Sequence, residues 1–561
     1  MHNSYDRLAQ LLCEVPEYAV EGRLNKNIVA ELARKYDAGL INKLLSDKDM
    51  KKLFFSESDA GLIFKKDIFL QFISQKEFLP DSYTAFEQKI GLASGGTMLR
   101  NDDRVVLNWP YKDCILEGGQ TKEDTKRDEV FFNEILAPDE INTILEDKVF
   151  TNWKRYDKDG EHELDELKPN DNLVIKGNNL ITLHSLKKRF AGKIRLIYID
   201  PPYNTGNDSF KYNDHFNHST WLTFMKNRLE VARDLLAEDG SIYVQLDYNE
   251  VHYCKVLMDE IFGKECFQRE IIWDTQVLSG YKTLTNNWVR GHDSILFYTK
   301  RPSGFLFNKL KRPQTEEYLA TFNKIDEDGR AYMIAHGKKR YRDVAEANGR
   351  VFGDVWGDIK SFMQQPTASE RINFSTQKPE ALLARIIRSA TNEGDIVLDF
   401  FGGSGTTAVV AHKLNRQYIS CEQISDQYDI ELDRLRSAIQ NDNPTVLSNE
   451  IQWTGGGSFV YCNIKNDANK FREKVQIADD NKTDDLLDEV LHSSFLSYRI
   501  DAKNHNIKLG DFHKLSLADK KHVLLDLIDN NTLYLNYSEI DDATYKISDE
   551  DKKHNKAFYG E

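Results

Sequence analysis

The sequence predicts an α/β fold built on a doubly wound, mostly parallel sheet, with further segments before, inside and after it. Three observations predict this. Buried strand patterns (KIRLIYID, SIYVQLD, GDIVLDFF, RQYISCEQ) alternate with helical patterns (WLTFMKNRLEVARDLLAEDG, TTAVVAHKLN), the arrangement of parallel βαβ units. Two of the strands run straight into stiff or glycine-rich elbows, IDPPYNTG and DFFGGSGTT. An irregular, aromatic stretch, Trp273–Phe374, separates the two halves.

The elements follow in chain order. At 561 residues, 40% hydrophobic and 29% charged, the chain has material for several cores and exceeds the size of one. Residues 1–150 read as a mainly helical domain, with Ile28, Val29, Leu32, Ala33, Tyr36, Leu40, Ile41 and Leu44 at helical spacing. The polar segment Tyr156–Asn172 reads as a linker. Residues 172–272 and 375–464 form two halves of the α/β core, with the helix after the first elbow expected to end at Gly240. Residues 273–374 are an insert, and 465–561 a mixed C-terminal domain with apolar positions at Leu486, Leu487, Val490 and Leu491.

Charge and cysteines narrow the function. The net charge of −15 opposes a generally nucleic-acid-binding surface. Yet Glu270–Arg371 holds 16 Lys and Arg against 13 Asp and Glu, a locally basic window in an acidic protein. Six scattered cysteines without a CxxC pair give neither a zinc site nor a disulfide framework, so no metal is expected. With no 18-residue apolar run and no signal-peptide pattern at MHNSYDRLAQ, the expected location is the cytoplasm, away from membranes.

The second elbow suits a nucleoside cofactor. Strand IVLDF delivers Asp399 and Phe401, and Gly402, Gly403 and Gly405 permit a tight turn before a helix that opens near Thr406. The next strand ends at Glu422, where an acid hydrogen-bonds a ribose diol in folds of this type. The loop lacks the lysine of a phosphate-binding GxxxxGK[ST], so an uncharged or zwitterionic nucleoside fits, with S-adenosylmethionine the candidate.

The first elbow suits a planar amine. Asp200 precedes Pro201 and Pro202, whose rings fix φ and remove N–H donors, and Tyr203 adds an aromatic face. The Asp200 carboxylate and the Pro201 carbonyl would accept both hydrogens of an exocyclic base amine. That draws its nitrogen towards tetrahedral geometry and exposes the lone pair to a methyl sulfonium. A base inside a duplex must be flipped out to reach such a corner.

With DPPY at 200–203 and FGGSG at 401–405, the sequence resembles the β arrangement of amino-methylating DNA methyltransferases. Within it, the closest likeness is to the Mod subunit of type III restriction–modification systems, carried also by KGNNLITLHSL (176–186), HDSILFYTK (292–300), TQKPEALLARIIRSAT (376–391) and GGGSFVYCNI (455–464). The resemblance implies a Rossmann-like S-adenosylmethionine-dependent enzyme that makes N6-methyladenine in double-stranded DNA. Its catalytic residues would be Asp200, Pro201, Pro202 and Tyr203, and 273–374 would recognise the target. The cofactor residues it implies are Asp399, Phe401, Gly403, Gly405, Thr406 and Glu422, together with Thr376, Gln377, Lys378 and Pro379 closing over the methionine end. Asn178 stands where many relatives carry Asp, so it would hydrogen-bond rather than bring a charge. A Mod-like homodimer and a Res helicase-nuclease partner are implied; cytosine-N4 methylation and an orphan adenine methyltransferase stay open as alternatives.

Other positions carry weaker signals. Lys338, Lys339, Arg340 and Arg342 in GKKRYR read as a DNA-binding patch or a solvated loop. Trp288, Arg290 and Tyr341 are candidates for stacking, although core packing suits Trp288 better. His292 reads as a structural end-cap without a catalytic role, and Pro80, Asp81, Glu87 and Lys89 only mimic a nuclease motif.

Overall fold

The computed structural model describes the backbone of residues 107–117, 130–133, 145–205, 216–275, 286–372, 374–466, 512–529 and 534–561. It also describes most of 2–70 and 471–491, with short paired segments at Ala93–Ser94 and Thr97–Met98. The nuclease-like segment 79–91 lies outside the described residues. These residues group into two compact units, Met1–Asp103 and Arg104–Glu561.

The first unit is helical, as the periodicity predicts, but the pattern is broken into short pieces. Helices Lys26–Arg34 and Ala38–Leu45 meet at Tyr36, whose φ of 53° lies in the left-handed region, and Asp37 then caps the second helix through Leu40 N at 2.9 Å. Val29, Ala33, Leu40 and Leu44 are buried with Leu8, Leu12, Met50 and Phe54. Ile28 and Tyr36, on the same predicted face, are exposed.

The second unit is organised on an 11-stranded sheet. In chain order its elements are β1 (Phe150–Asp157), β2 (Gly160–Glu163), β3 (Leu173–Lys176), α1 (Asn179–Phe190), β4 (Ile194–Ile199), α2 (His218–Leu235), β5 (Leu236–Leu246), α3 (Val251–Phe262), β6 (Phe267–Asp274), β7 (His292–Thr299), β8 (Val355–Trp356), α4 (Glu380–Ala390), β9 (Ile396–Asp399), α5 (Thr406–Lys413), β10 (Gln417–Glu422), α6 (Ser425–Gln440), β11 (Phe459–Ile464) and α7 (Asp549–Tyr559). The spatial order is β2-β1-β11-β3-β10-β9-β4-β5-β7-β6-β8. The six strands from β11 to β5 are mutually parallel, with antiparallel strands added on both flanks.

Strand alternation sends apolar side chains to both faces, which is why both are covered. Val174, Leu196, Tyr198, Tyr243, Val397 and Tyr418 pack with Leu382, Leu383, Val409, Val410, Leu432 and Leu435 of α4, α5 and α6. Ile175, Ile197, Ile199, Ile242, Val244, Leu398 and Ile419 pack with residues of α1, α2, α3 and α7. This is the doubly wound sheet expected from the sequence.

Several boundaries differ. The helix expected to run to Gly240 ends at Leu235, and β5 begins at once. Gly240 serves a close strand approach, since a Cβ there would lie 2.8 Å from the Ile194 carbonyl oxygen. The Tyr156–Asn172 linker contributes to the β1–β2 edge hairpin, where the Arg155 guanidinium grips Asp171 at 2.7 Å. Part of the expected insert belongs to the core: β7 pairs with β5 and β6 and β8 pairs with β6, which leaves a long segment between Thr299 and Val355 outside the main sheet. The stretch 107–117, assigned to the helical front domain, packs on α2, with Trp109 Nε1 3.3 Å from Thr223 Oγ1 and Leu116 N 3.2 Å from Asn227 Oδ1.

The C-terminal region divides too. Leu486, Leu487 and Val490 form a small core with Val475, Ala478, Phe512 and Leu524. By contrast, α7 lies against β1, where Asn555 both accepts from Phe150 N (2.8 Å) and donates to its carbonyl (2.6 Å). Among the described residues no helix is long and apolar enough to cross a membrane. Phe558 is buried, its ring 4.9 Å from that of Phe150 and within 6 Å of Trp153. Phe558→Ala is therefore expected to destabilise the second unit by about 3–5 kcal/mol, read as an earlier urea unfolding transition.

Candidate active site

The two elbows meet because β4 and β9 are neighbours, with Leu196 opposite Val397 and Ile197 opposite Leu398. The helix after β4 packs on one face of the sheet and the helix after β9 on the other. Their carboxyl ends therefore open a crevice at the point where the winding reverses, the usual ligand position in such sheets. A cleft of about 680 Å³ occupies it, within the range of small-molecule sites. Asp200, Pro201, Pro202 and Tyr203 line it, and so do Thr376, Gln377, Lys378, Asp399, Phe401, Gly403, Thr406 and Glu422.

The glycine loop is held from below. Gly402 touches the second strand so closely that a Cβ would lie 2.6 Å from Ser420 Oγ, while Gly405, with φ +72°, would press a Cβ to 2.6 Å from Glu431 Cγ. Asp399 ties the loop together by accepting from Phe401 N (2.9 Å) and Thr407 Oγ1 (2.6 Å). Its burial pushes the carboxyl up to about 7. Glu422 accepts from Gly403 N (2.8 Å) and Ile424 N (2.7 Å), and its carboxylate reaches the cleft at the end of β10. From the far side of the loop, Arg434 on α6 donates to the Ser404 carbonyl (2.7 Å) and Thr406 Oγ1 (2.8 Å).

The proline elbow is equally restrained. The buried Trp221 indole of α2 donates to the Pro202 carbonyl at 2.8 Å. Asn204, at φ +59°, clasps Phe216 through both main-chain groups (2.7 and 3.0 Å) and donates to Glu250 at 2.6 Å. Asp200 accepts from Tyr203 Oη at 2.8 Å on one oxygen and from Lys378 Nζ on the other. Burial raises the Asp200 pKa, and Lys378 and Tyr203 oppose that rise. The Tyr203 hydroxyl also lies 3.2 Å from Asp293, which Gln245 (3.1 Å) and Arg290 hold in place.

Three expected cofactor residues stand outside the cleft lining. Asn178 caps α1, its Oδ1 accepting from Leu180 N at 2.9 Å; Pro379 occupies the cap position of α4; Gly405 occupies that of α5. Lys338, Lys339 and Arg340 form the exposed edge strand of a small three-stranded sheet rather than a loop. Arg342 begins a helix and pairs with Glu346 at 2.9 Å. Trp288 is 96% exposed, against the expectation of core packing. Arg290 is pinned by Asp247 (3.0 Å) and Asp293, and so is not free to stack on a base. His292 is exposed at the start of β7, its carbonyl accepting from Arg290 Nε at 3.3 Å.

The sequence reading missed Asp293, Gln245, Trp221 and Arg434. Asp293 left a signal: an acid near the start of the apolar strand HDSILFYT repeats the strand-end carboxylate pattern of Asp200. Arg434 left none, because one arginine in a polar helix looks like a solvated residue.

A cleft in which a glycine loop and a DPPY elbow meet on adjacent strands fits one class, the amino-methylating DNA methylases. The family model described as "DNA methylase" matches residues 194–432, and that of the "Type III restriction/modification enzyme methylation subunit" matches 37–92. A Haemophilus influenzae protein named "Probable type III restriction-modification enzyme HindVI Mod subunit" is 32% identical over 96% of this chain and 95% of its own. The Salmonella typhimurium StyLTI Mod subunit is 30% identical over 46% and 52% respectively. A solved M1.HpyAVI–SAM complex aligns at a TM-score of 0.31 and 20% identity, covering 47% of this chain and 98% of that one. The chain belongs to the Mod subunit family of type III restriction–modification DNA methyltransferases.

Proposed function

We propose that the chain transfers the methyl group of S-adenosylmethionine to the N6 amine of an adenine flipped out of double-stranded DNA. The observation that carries this reading is the convergence of Asp200 and the 401–405 loop in one cleft, on adjacent strands. The cofactor's amino-acid end would lie by Thr376–Lys378 and the glycine loop, and its ribose at Glu422. The base amine would donate to Asp200 and the Pro201 carbonyl, with Tyr203 against its ring. Alignment and preorganised acceptors then supply most of the acceleration, since the reaction needs no further covalent partner.

The chain would act as the modification and specificity subunit beside a Res helicase-nuclease, as a homodimer in the cytoplasm. Membership of the Mod subunit family supports the modification role and the Res partner. Lys338, Lys339, Arg340 and Arg342 would contact DNA phosphates from the segment that leaves the main sheet.

Asp200→Ala is expected to lower methyl transfer at least about 100-fold while S-adenosylmethionine binding persists, measured by nucleoside mass spectrometry and calorimetry. N4-methylcytosine in the product would redirect the assignment to the other amine. Gly405→Ala should weaken cofactor binding about tenfold, because a left-handed non-glycine residue costs about 1–2 kcal/mol before the contact with Glu431 is counted. Lys338→Ala combined with Arg340→Ala should flatten the salt dependence of DNA affinity by about 2 in log–log slope, and an unchanged slope removes these residues from the interface.

A further inference from the structure

We propose that Lys378 is a positioning residue for methyl transfer, its ammonium seated against Asp200 so that the amine-accepting carboxylate is held as an anion. The proposal rests on the reading of Asp200 as the amine acceptor.

Lys378 is placed by its own backbone. Its carbonyl accepts from Thr406 Oγ1 at 3.2 Å, at the start of α5, and the following Pro379 caps α4. The chain is thus fixed between two helix starts in the cofactor half. From there the side chain crosses the cleft into the catalytic half, where Nζ donates to Asp200 Oδ2 and lies 5.3 Å from the centre of the Tyr203 ring. A second donation, to the Thr376 carbonyl at 3.3 Å, steadies the ammonium. Both partners of the ion pair are largely withdrawn from water, with side chains 12% and 18% exposed.

The surroundings explain why a cation is needed. Besides Lys378, the groups facing Asp200 are the hydroxyls of Tyr203 and of Tyr198 on β4, Asp293 on β7 and Asp399 on β9. Arg290 stands near, but its guanidinium is committed to Asp247 and Asp293. Among the described residues Lys378 is the cation bonded to Asp200. Burial and the Asp293 charge push the Asp200 pKa up, while Lys378 and the Tyr203 hydroxyl draw it down. A protonated Asp200 would present a donor to the base amine and could not accept from it. Removing Lys378 therefore raises the pKa and shrinks the anionic fraction at any given pH on the acid limb. Neutralising Asp293 acts in the opposite direction.

The test is single-turnover methyl transfer to duplex DNA as a function of pH, with S-adenosylmethionine affinity measured in parallel. Lys378→Met is expected to move the acid limb of the rate profile upward by about one pH unit or more, so that the rate falls about tenfold on the acid side of the original limb and recovers as the pH rises past the displaced one. Lys378→Arg should keep the limb near its original position, and Asp293→Asn should shift it to lower pH. An unmoved limb in Lys378→Met, or a rate lost equally at every pH while the cofactor still binds, overturns the proposal. Full activity of Asp200→Ala would instead sink the assignment of Asp200 itself, so the two failures are distinguishable.

Discussion

The pairing of β4 with β9 is the contact on which the site depends. These strands are separated by about two hundred residues of chain, yet Leu196 and Val397 sit opposite each other in one parallel ladder. Because their following helices leave to opposite faces, the two strand ends cannot be covered by a crossover, and a crevice remains between the elbows. Displacing either strand by one residue would turn its buried side chains to the wrong face, so the apolar alternation of Leu196–Ile199 and Val397–Leu398 also fixes where Asp200 and Asp399 emerge. Core packing and site geometry are set by the same residues.

Acidic groups crowd this crevice. Asp200, Asp293, Asp399, Glu422 and Glu431 lie at or just beneath it, and burial raises Asp399 to about 7 and Glu431 to about 8. Burial thus favours the neutral form of Glu431 against the glycine loop. The cations that line the crevice arrive from segments outside the two motifs, Arg371 and Lys378 before α4 and Arg290 before β7, while Arg434 on α6 braces the loop from its far side. Behind the loop, Glu380 is paired with Lys413 at 2.9 Å and accepts from Thr445 at 2.7 Å, an ion pair whose polar atoms are satisfied as burial requires.

The parallel core was legible in the sequence because its strands are apolar runs ended by glycine, proline or acid. DPPY and the glycine loop were legible for the same reason, since their backbones need unusual residues. What escaped depends on distant pairing. HDSILFYTK fell inside the stretch read as an irregular insert, and nothing local told that it joins the main sheet and brings Asp293 to Tyr203. Trp288 looked like a core residue because tryptophan usually is one, and its exposure follows from a loop whose course the periodicity does not encode. Tyr36 shows the reverse case: one residue with positive φ divides a helix that the apolar spacing reads as continuous.

The clasp between Asn555 and Phe150 spans 405 positions of sequence. During synthesis, β1 emerges long before the helix that covers it, and β3 likewise waits for both β10 and β11. A domain so rich in remote contacts cannot complete itself stepwise on the ribosome. The edges of β1 and β3 therefore wait for partners made about three to four hundred residues and about two hundred and fifty residues or more later, a topology that favours slow folding.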